Sequence, residues 1–142
     1  MLTKTIKYED WNGTEREEDF YFNLSEAELM EMEMSTEGGF TNMMQNIIKR
    51  KNAPKIMETF KQLILKSYGE KSVDGRRFVK STELSEEFMQ TPAYDILFME
   101  LCTNADAASE FVNGIVPKKL SEQAKTAEVQ AQLKNHPALK AR

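Results

Sequence analysis

The chain has 142 residues and 16.4 kDa, with 40% hydrophobic and 30% charged side chains and a formal net charge of −4. That length buries the core of one ordinary domain, and the composition excludes a disordered or fibrous chain. No stretch approaches the roughly 20 apolar residues that span a bilayer, and Met1–Lys7 lacks the apolar centre of a secretory leader, so the expectation is a cytoplasmic protein with no membrane partner.

Residues 2–9 and 14–22 are rich in Thr, Ile, Tyr and Phe and flank Asp10-Trp11-Asn12-Gly13, which predicts an antiparallel hairpin. A two-residue Asn12-Gly13 loop would pair Ile6 with Asp19 and split the apolar residues between two faces. A three-residue loop, Trp11-Asn12-Gly13, with Gly13 left-handed, pairs Leu2 with Phe22, Lys4 with Phe20 and Tyr8 with Arg16, gathering the apolar residues on one face. The second register is expected.

Ser25, Glu28, Leu24 and Leu29 then form a capping box with a hydrophobic staple, opening a helix that stops near Gly38-Gly39. Phe40, Met43, Met44, Ile47 and Ile48 recur at helical spacing up to Lys49-Arg50-Lys51, where cations suit a helix end. Pro54 opens a third helix with Ile56, Met57, Phe60, Leu63 and Ile64 as its stripe and Gly69 as its terminator. Ser72–Lys80 reads as a small hairpin or ordered loop. A short helix is expected over 82–90. Thr91-Pro92 opens another with Tyr94, Leu97, Phe98 and Leu101 buried, and Asn104 caps a last one that runs through Phe111 and Val112 to a stop at Asn113-Gly114.

The predicted fold class is therefore α+β and predominantly helical. It has a hairpin over 2–22 packed on five or six helices of a helical body over 25–116, all within one domain of residues 1–117. Residues 118–142 change to Lys, Gln, Ala, Glu and Ser, with Leu120, Val129, Leu133 and Leu139 as the large aliphatics, and are expected to form a basic, weakly ordered tail compatible with helix. Charge is uneven: residues 1–37 carry three basic and eleven acidic side chains, residues 38–117 ten of each, and residues 118–142 six basic and two acidic. An acidic front argues against a nucleic-acid partner, which needs clustered positive charge.

The residues available for chemistry are few. His136 is the one histidine, which excludes a histidine-dependent triad or a multi-histidine metal site. Gly38-Gly39 lacks the spaced glycine, lysine and hydroxyl of a phosphate loop. Glu26, Glu28, Glu31, Glu33 and Glu37 go around much of a helix, which suits a solvated face rather than a convergent acid–base pair. Cys102, the single cysteine, reads as a buried structural thiol. No catalytic residue, metal or cofactor is expected.

Methionine is the distinctive feature: five of nine lie between Met30 and Met44. Methionine-rich surfaces repack against varied apolar partners. Met32 and Met34 are two apart and cannot both face one core, which leaves an apolar strip in solvent. Met30, Met34, Phe40, Met43, Met44 and Ile47 are the candidate partner-binding residues.

Several segments together carry a resemblance: Thr5-Ile6-Lys7-Tyr8, the Trp11-Asn12-Gly13 turn, Phe20-Tyr21-Phe22-Asn23-Leu24 and Glu26-Ala27-Glu28-Leu29; then Lys66-Ser67-Tyr68-Gly69-Glu70-Lys71-Ser72, Arg77-Phe78-Val79-Lys80-Ser81 and Gln90-Thr91-Pro92-Ala93-Tyr94; and last Leu97-Phe98-Met99-Glu100-Leu101 and Phe111-Val112-Asn113-Gly114-Ile115-Val116-Pro117. The chain resembles, over residues 1–117, the tail assembly chaperones of long-tailed bacteriophages of siphophage type. The resemblance implies a non-enzymatic protein of the infected bacterium's cytoplasm that holds the tape measure protein, helps tail-tube protein polymerise around it, and is absent from the finished particle. Self-association stays open. The alternatives are a structural morphogenesis protein for head–tail joining or tail completion that is retained in the virion, a small enzyme or regulator using the acidic helix, and a nucleic-acid role for the basic tail.

Overall fold

The computed structural model describes residues 1–40, 42–43 and 53–117. Strands β1 (Leu2–Glu9) and β2 (Glu15–Phe22) pair antiparallel, with Leu2 opposite Phe22, Lys4 opposite Phe20 and Tyr8 opposite Arg16. This is the three-residue-loop register. Gly13 is left-handed at φ 80°, as the bulge at the loop end requires. Asp10 fixes the turn by accepting the N–H groups of Asn12 and Thr14, each at 2.9 Å, and Arg16 Nε at 2.6 Å.

The hairpin is not the whole sheet. After α1 (Glu26–Ser35) and α2 (Ala53–Ser67), strands β3 (Tyr68–Lys71) and β4 (Phe78–Val79) extend it to a four-stranded antiparallel sheet in the order β1-β2-β3-β4. The small hairpin or ordered loop expected over Ser72–Lys80 is a hairpin, and its first strand starts earlier than expected, at Tyr68, so the helical body over 25–116 is interrupted at 68–79. Gly69 does not end α2 but lies inside β3 opposite Tyr21. A Cβ there would fall 2.7 Å from the Val79 carbonyl oxygen and 2.8 Å from the Phe78 ring, so the glycine serves close approach of two strands, not a helix cap.

Three more helices follow: α3 (Thr82–Met89), α4 (Pro92–Thr103) and α5 (Ala105–Ile115). Their N-caps Ser81, Thr91 and Asn104 accept the backbone N–H three residues on, which satisfies donors the helix leaves unpaired. Contrary to expectation α5 does not stop at Asn113-Gly114. It continues to Ile115, because Gly114 does not take the left-handed conformation that ends a helix; Leu2 rests against it, and a Cβ there would lie 2.8 Å from Leu2 Cδ1.

The core is aromatic at its centre. Phe88 of α3 stacks on Tyr68 at 4.4 Å between centroids and meets Phe20 at 5.1 Å and Phe22 at 5.7 Å, while Phe22 also meets Phe111 at 5.3 Å. On α2, Phe60, Leu63 and Ile64 are buried and Ile56 is partly buried, but Met57 is exposed. The expected five-residue stripe was too wide for one packed face. Thr59 and Ser67 are buried on α2 instead, and the Ser67 hydroxyl donates to the Leu63 carbonyl at 2.6 Å, which meets the cost of burying it.

Two backbone bonds close the fold. Asn23 N–H donates to the Ser67 carbonyl at 2.8 Å, and Leu24 N–H donates to the Ile115 carbonyl at 2.7 Å. Of the second helix expected over 40–48, Phe40, Asn42 and Met43 are helical, and the other positions lie outside the described residues, as do Lys49-Arg50-Lys51 and 118–142.

Candidate functional site

Helix α1 begins with the capping box expected of its sequence: Ser25 Oγ accepts Glu28 N–H at 3.1 Å, and Glu28 Oε1 accepts Ser25 N–H at 2.9 Å. The same carboxylate takes both of its oxygens to within 2.7 Å of Lys80 Nζ. Burial pushes the Glu28 carboxyl up, but the Lys80 ammonium and the Ser25 donors outweigh it and hold it below the ordinary glutamate value. The pairing fixes α1 against the segment that enters α3.

Anchored this way, α1 turns Met32 into the core and leaves Met30 and Met34 outside. Met32 is 8% exposed, Met30 69% and Met34 82%. The separation of Met32 from Met34 follows from their spacing of two on a helix of 3.6 residues per turn. Met30 and Met34, four apart, share the solvent side with exposed Glu26, Glu31 and Glu33. The result is a small apolar stripe edged by carboxylates.

The remaining candidates divide. Phe40 is half-buried and packs against the core, and Met43 is half-buried. Met44 and Ile47 lie outside the described residues. The structure therefore brings Met30 and Met34 together and turns part of Phe40 inward.

Other exposed apolar side chains escaped the sequence reading. Trp11, 78% exposed at the hairpin tip, donates its indole N–H to the Gln90 carbonyl at 3.0 Å. The signal was its place in the loop rather than in a strand. Ile96 and Met99 on α4 are exposed as well; on a helix apolar nearly all round, the sequence does not say which side is wet.

A shallow groove across the hairpin is lined by Lys7, Tyr8, Glu9, Glu15, Arg16 and Glu17. Several of its side chains are engaged: Lys7 bridges Glu17 at 3.7 Å, Arg16 bridges Asp10 at 2.6 Å and Glu18 at 3.5 Å, and the Tyr8 hydroxyl donates to Glu18. The Arg16 guanidinium and the turn N–H groups hold the Asp10 carboxyl below its usual range. This arrangement stiffens a hairpin. Cys102 is half-buried and its thiol is pushed up by burial, away from the thiolate that reactivity needs. Among the described residues no group of three or more His, Cys, Asp or Glu side chains is placed to hold a metal, and no helix is long and apolar enough to cross a membrane.

Over residues 1–141 the chain matches the family model described as "Phage tail assembly chaperone". The match continues through the tail, beyond residue 117 where the resemblance found by inspection ended. No curated protein and no solved structure matches the chain.

Proposed function

The chain belongs to the phage tail assembly chaperone family, and we propose that it acts there without catalysis, holding the tape measure protein on the solvent face of α1 while tail-tube protein polymerises around it. The observation that carries this reading is the exposure of Met30 and Met34, at 69% and 82%, on one face of a helix whose buried face holds Met32. Unbranched thioether side chains fit an apolar helical client of irregular surface. Phe40, Met43, Met44 and Ile47 follow α1 in sequence and are assigned to the same surface. Residues 1–117 act as one unit with residues 118–142 appended. The work is done in the host cytoplasm, and the protein leaves before the particle is complete.

The test is co-expression with the tape measure protein encoded nearby, followed by pull-down and measurement of client solubility. Specific binding that keeps the client soluble, weakened by Met30→Ser with Met34→Ser in a protein that still folds, is the expected result. No client binding, together with this chain in purified particles, would instead assign it to head–tail joining or tail completion.

A further inference from the structure

We propose that two copies of this chain pair end to end about a two-fold axis, the β1–β2 turn of each copy seated on the β3–β4 loop of the other. The inference does not depend on the client reading above.

The β1–β2 turn carries charge that its own chain does not neutralise. Glu9 and Glu15 stand directly opposite one another in the ladder, and both are exposed. Like charges placed in this way repel. The nearby cations are engaged elsewhere, Arg16 by Asp10 and Glu18 and Lys7 by Glu17. Among the described residues no cation bridges Glu9 or Glu15. Beside them Trp11 is largely exposed, yet the indole N–H bond to the Gln90 carbonyl holds its ring in place. A ring fixed before contact loses little freedom on binding, and a tryptophan face attracts a guanidinium.

The β3–β4 loop is the converse. Arg76 and Arg77 are exposed, and among the described residues neither bridges a carboxylate. Val73 in the same loop is fully exposed. The backbone that carries these side chains is held: Asp74 accepts the Ser72 hydroxyl at 2.7 Å and the Arg76 N–H at 3.0 Å, and Ser72 N–H donates to the Arg77 carbonyl at 2.8 Å. One surface therefore offers two carboxylates and an apolar ring, and the other offers two guanidiniums and an apolar side chain. This complementarity within one sequence makes a second copy the occupant.

The topology brings both surfaces to one end of the molecule. Strand β2 runs away from its turn, and β3, antiparallel to β2, runs back toward it. A two-fold axis at that end makes the same contact twice, turn on loop and loop on turn, so the pair closes and leaves neither surface for a third copy.

The test is sedimentation equilibrium of the full chain over a concentration series, with the emission of Trp11, the single tryptophan, read in the same samples. The mass should rise from 16.4 kDa to twice that and stop, with the emission shifting over the same range. Both changes should be lost in about 1 M salt, where the screening length is about 3 Å. Arg76→Glu with Arg77→Glu, and separately Glu9→Arg with Glu15→Arg, should each weaken association at least about tenfold while unfolding as cooperatively as the wild type. Mixed in equal amounts the two variants should pair as the wild type does, because every contact then joins opposite charges again. A single-copy mass at every concentration overturns the proposal. So does a dimer that neither charge reversal weakens, a mixture that stays monomeric, or growth past two copies.

Discussion

Lys80 Nζ lies 2.7 Å from each carboxylate oxygen of Glu28, joining positions 52 apart in the chain. The pair links the first turn of α1 to the residue before the α3 cap, and so holds the helix that presents Met30 and Met34.

Lys80→Ala is expected to lower stability by about 0.5–1 kcal/mol, the range for a partly exposed ion pair, measured by urea unfolding at neutral pH. Because the folded protein holds Glu28 below its ordinary value of 4.5, folding favours the ionised form. Its contribution is complete above the ordinary glutamate range and disappears as pH falls through the lowered folded value. The gap between wild type and Lys80→Ala should therefore close on acidification; a gap that persists would mean the lysine acts through packing alone.

The two close-contact glycines should respond unequally to alanine. At Gly69 the new methyl meets the Val79 backbone oxygen at 2.7 Å and the Phe78 ring at 2.8 Å, and overpacking of that kind costs about 1–3 kcal/mol. At Gly114 its three nearest atoms, at 2.8–3.2 Å, all belong to the Leu2 side chain, which can shift, and alanine gains about 1 kcal/mol of helix propensity. Thermal unfolding should show a clear loss for Gly69→Ala and near neutrality for Gly114→Ala.

Tyr68, buried on Phe88, has its phenol pushed up to about 12 by burial first and then by Glu70 and Glu87. A raised folded value means the neutral phenol is stabilised. That contribution is full below the unfolded value of 10.0 and is lost as pH rises from there to about 12. Absorbance titration should show one tyrosine ionising last, absent in Tyr68→Phe, whose stability should fall less steeply at alkaline pH.

Dilute peroxide in about 1 M salt, where charge contacts are screened, should oxidise Met30 and Met34 well before Met32. Oxidation follows access to the thioether, and Met32 is 8% exposed against 69% and 82%. Peptide mapping with equal rates at all three would show that α1 is not seated as described.

Much of this arrangement is legible in the residues. The hairpin register follows from period-two alternation and the glycine at position 13, and the α1 cap follows from Ser25 and Glu28 alone, because both are local. Strand β3 is not legible: Tyr68-Gly69-Glu70-Lys71 carries a glycine and two charges in four positions, and it becomes a strand only because β2 offers an edge to pair with. Gly69 and Gly114 read as stops because the close approaches at them, of Val79 and Leu2, come from distant segments. Of the candidate surface, the opposition of Met32 and Met34 was readable from spacing, whereas the exposure of Ile96 and Met99 depends on which side of α4 the sheet and its neighbouring helices take.

The bond between Leu24 and Ile115 also sets a clock. The two residues are 91 positions apart, and at 5–20 residues added per second the ribosome needs roughly 5–18 s to make the second after the first. Phe20 and Phe22 are made just before that interval, and their ring partners Phe88 and Phe111 follow only late in it. A chaperone built this way is itself, while being made, an unprotected client.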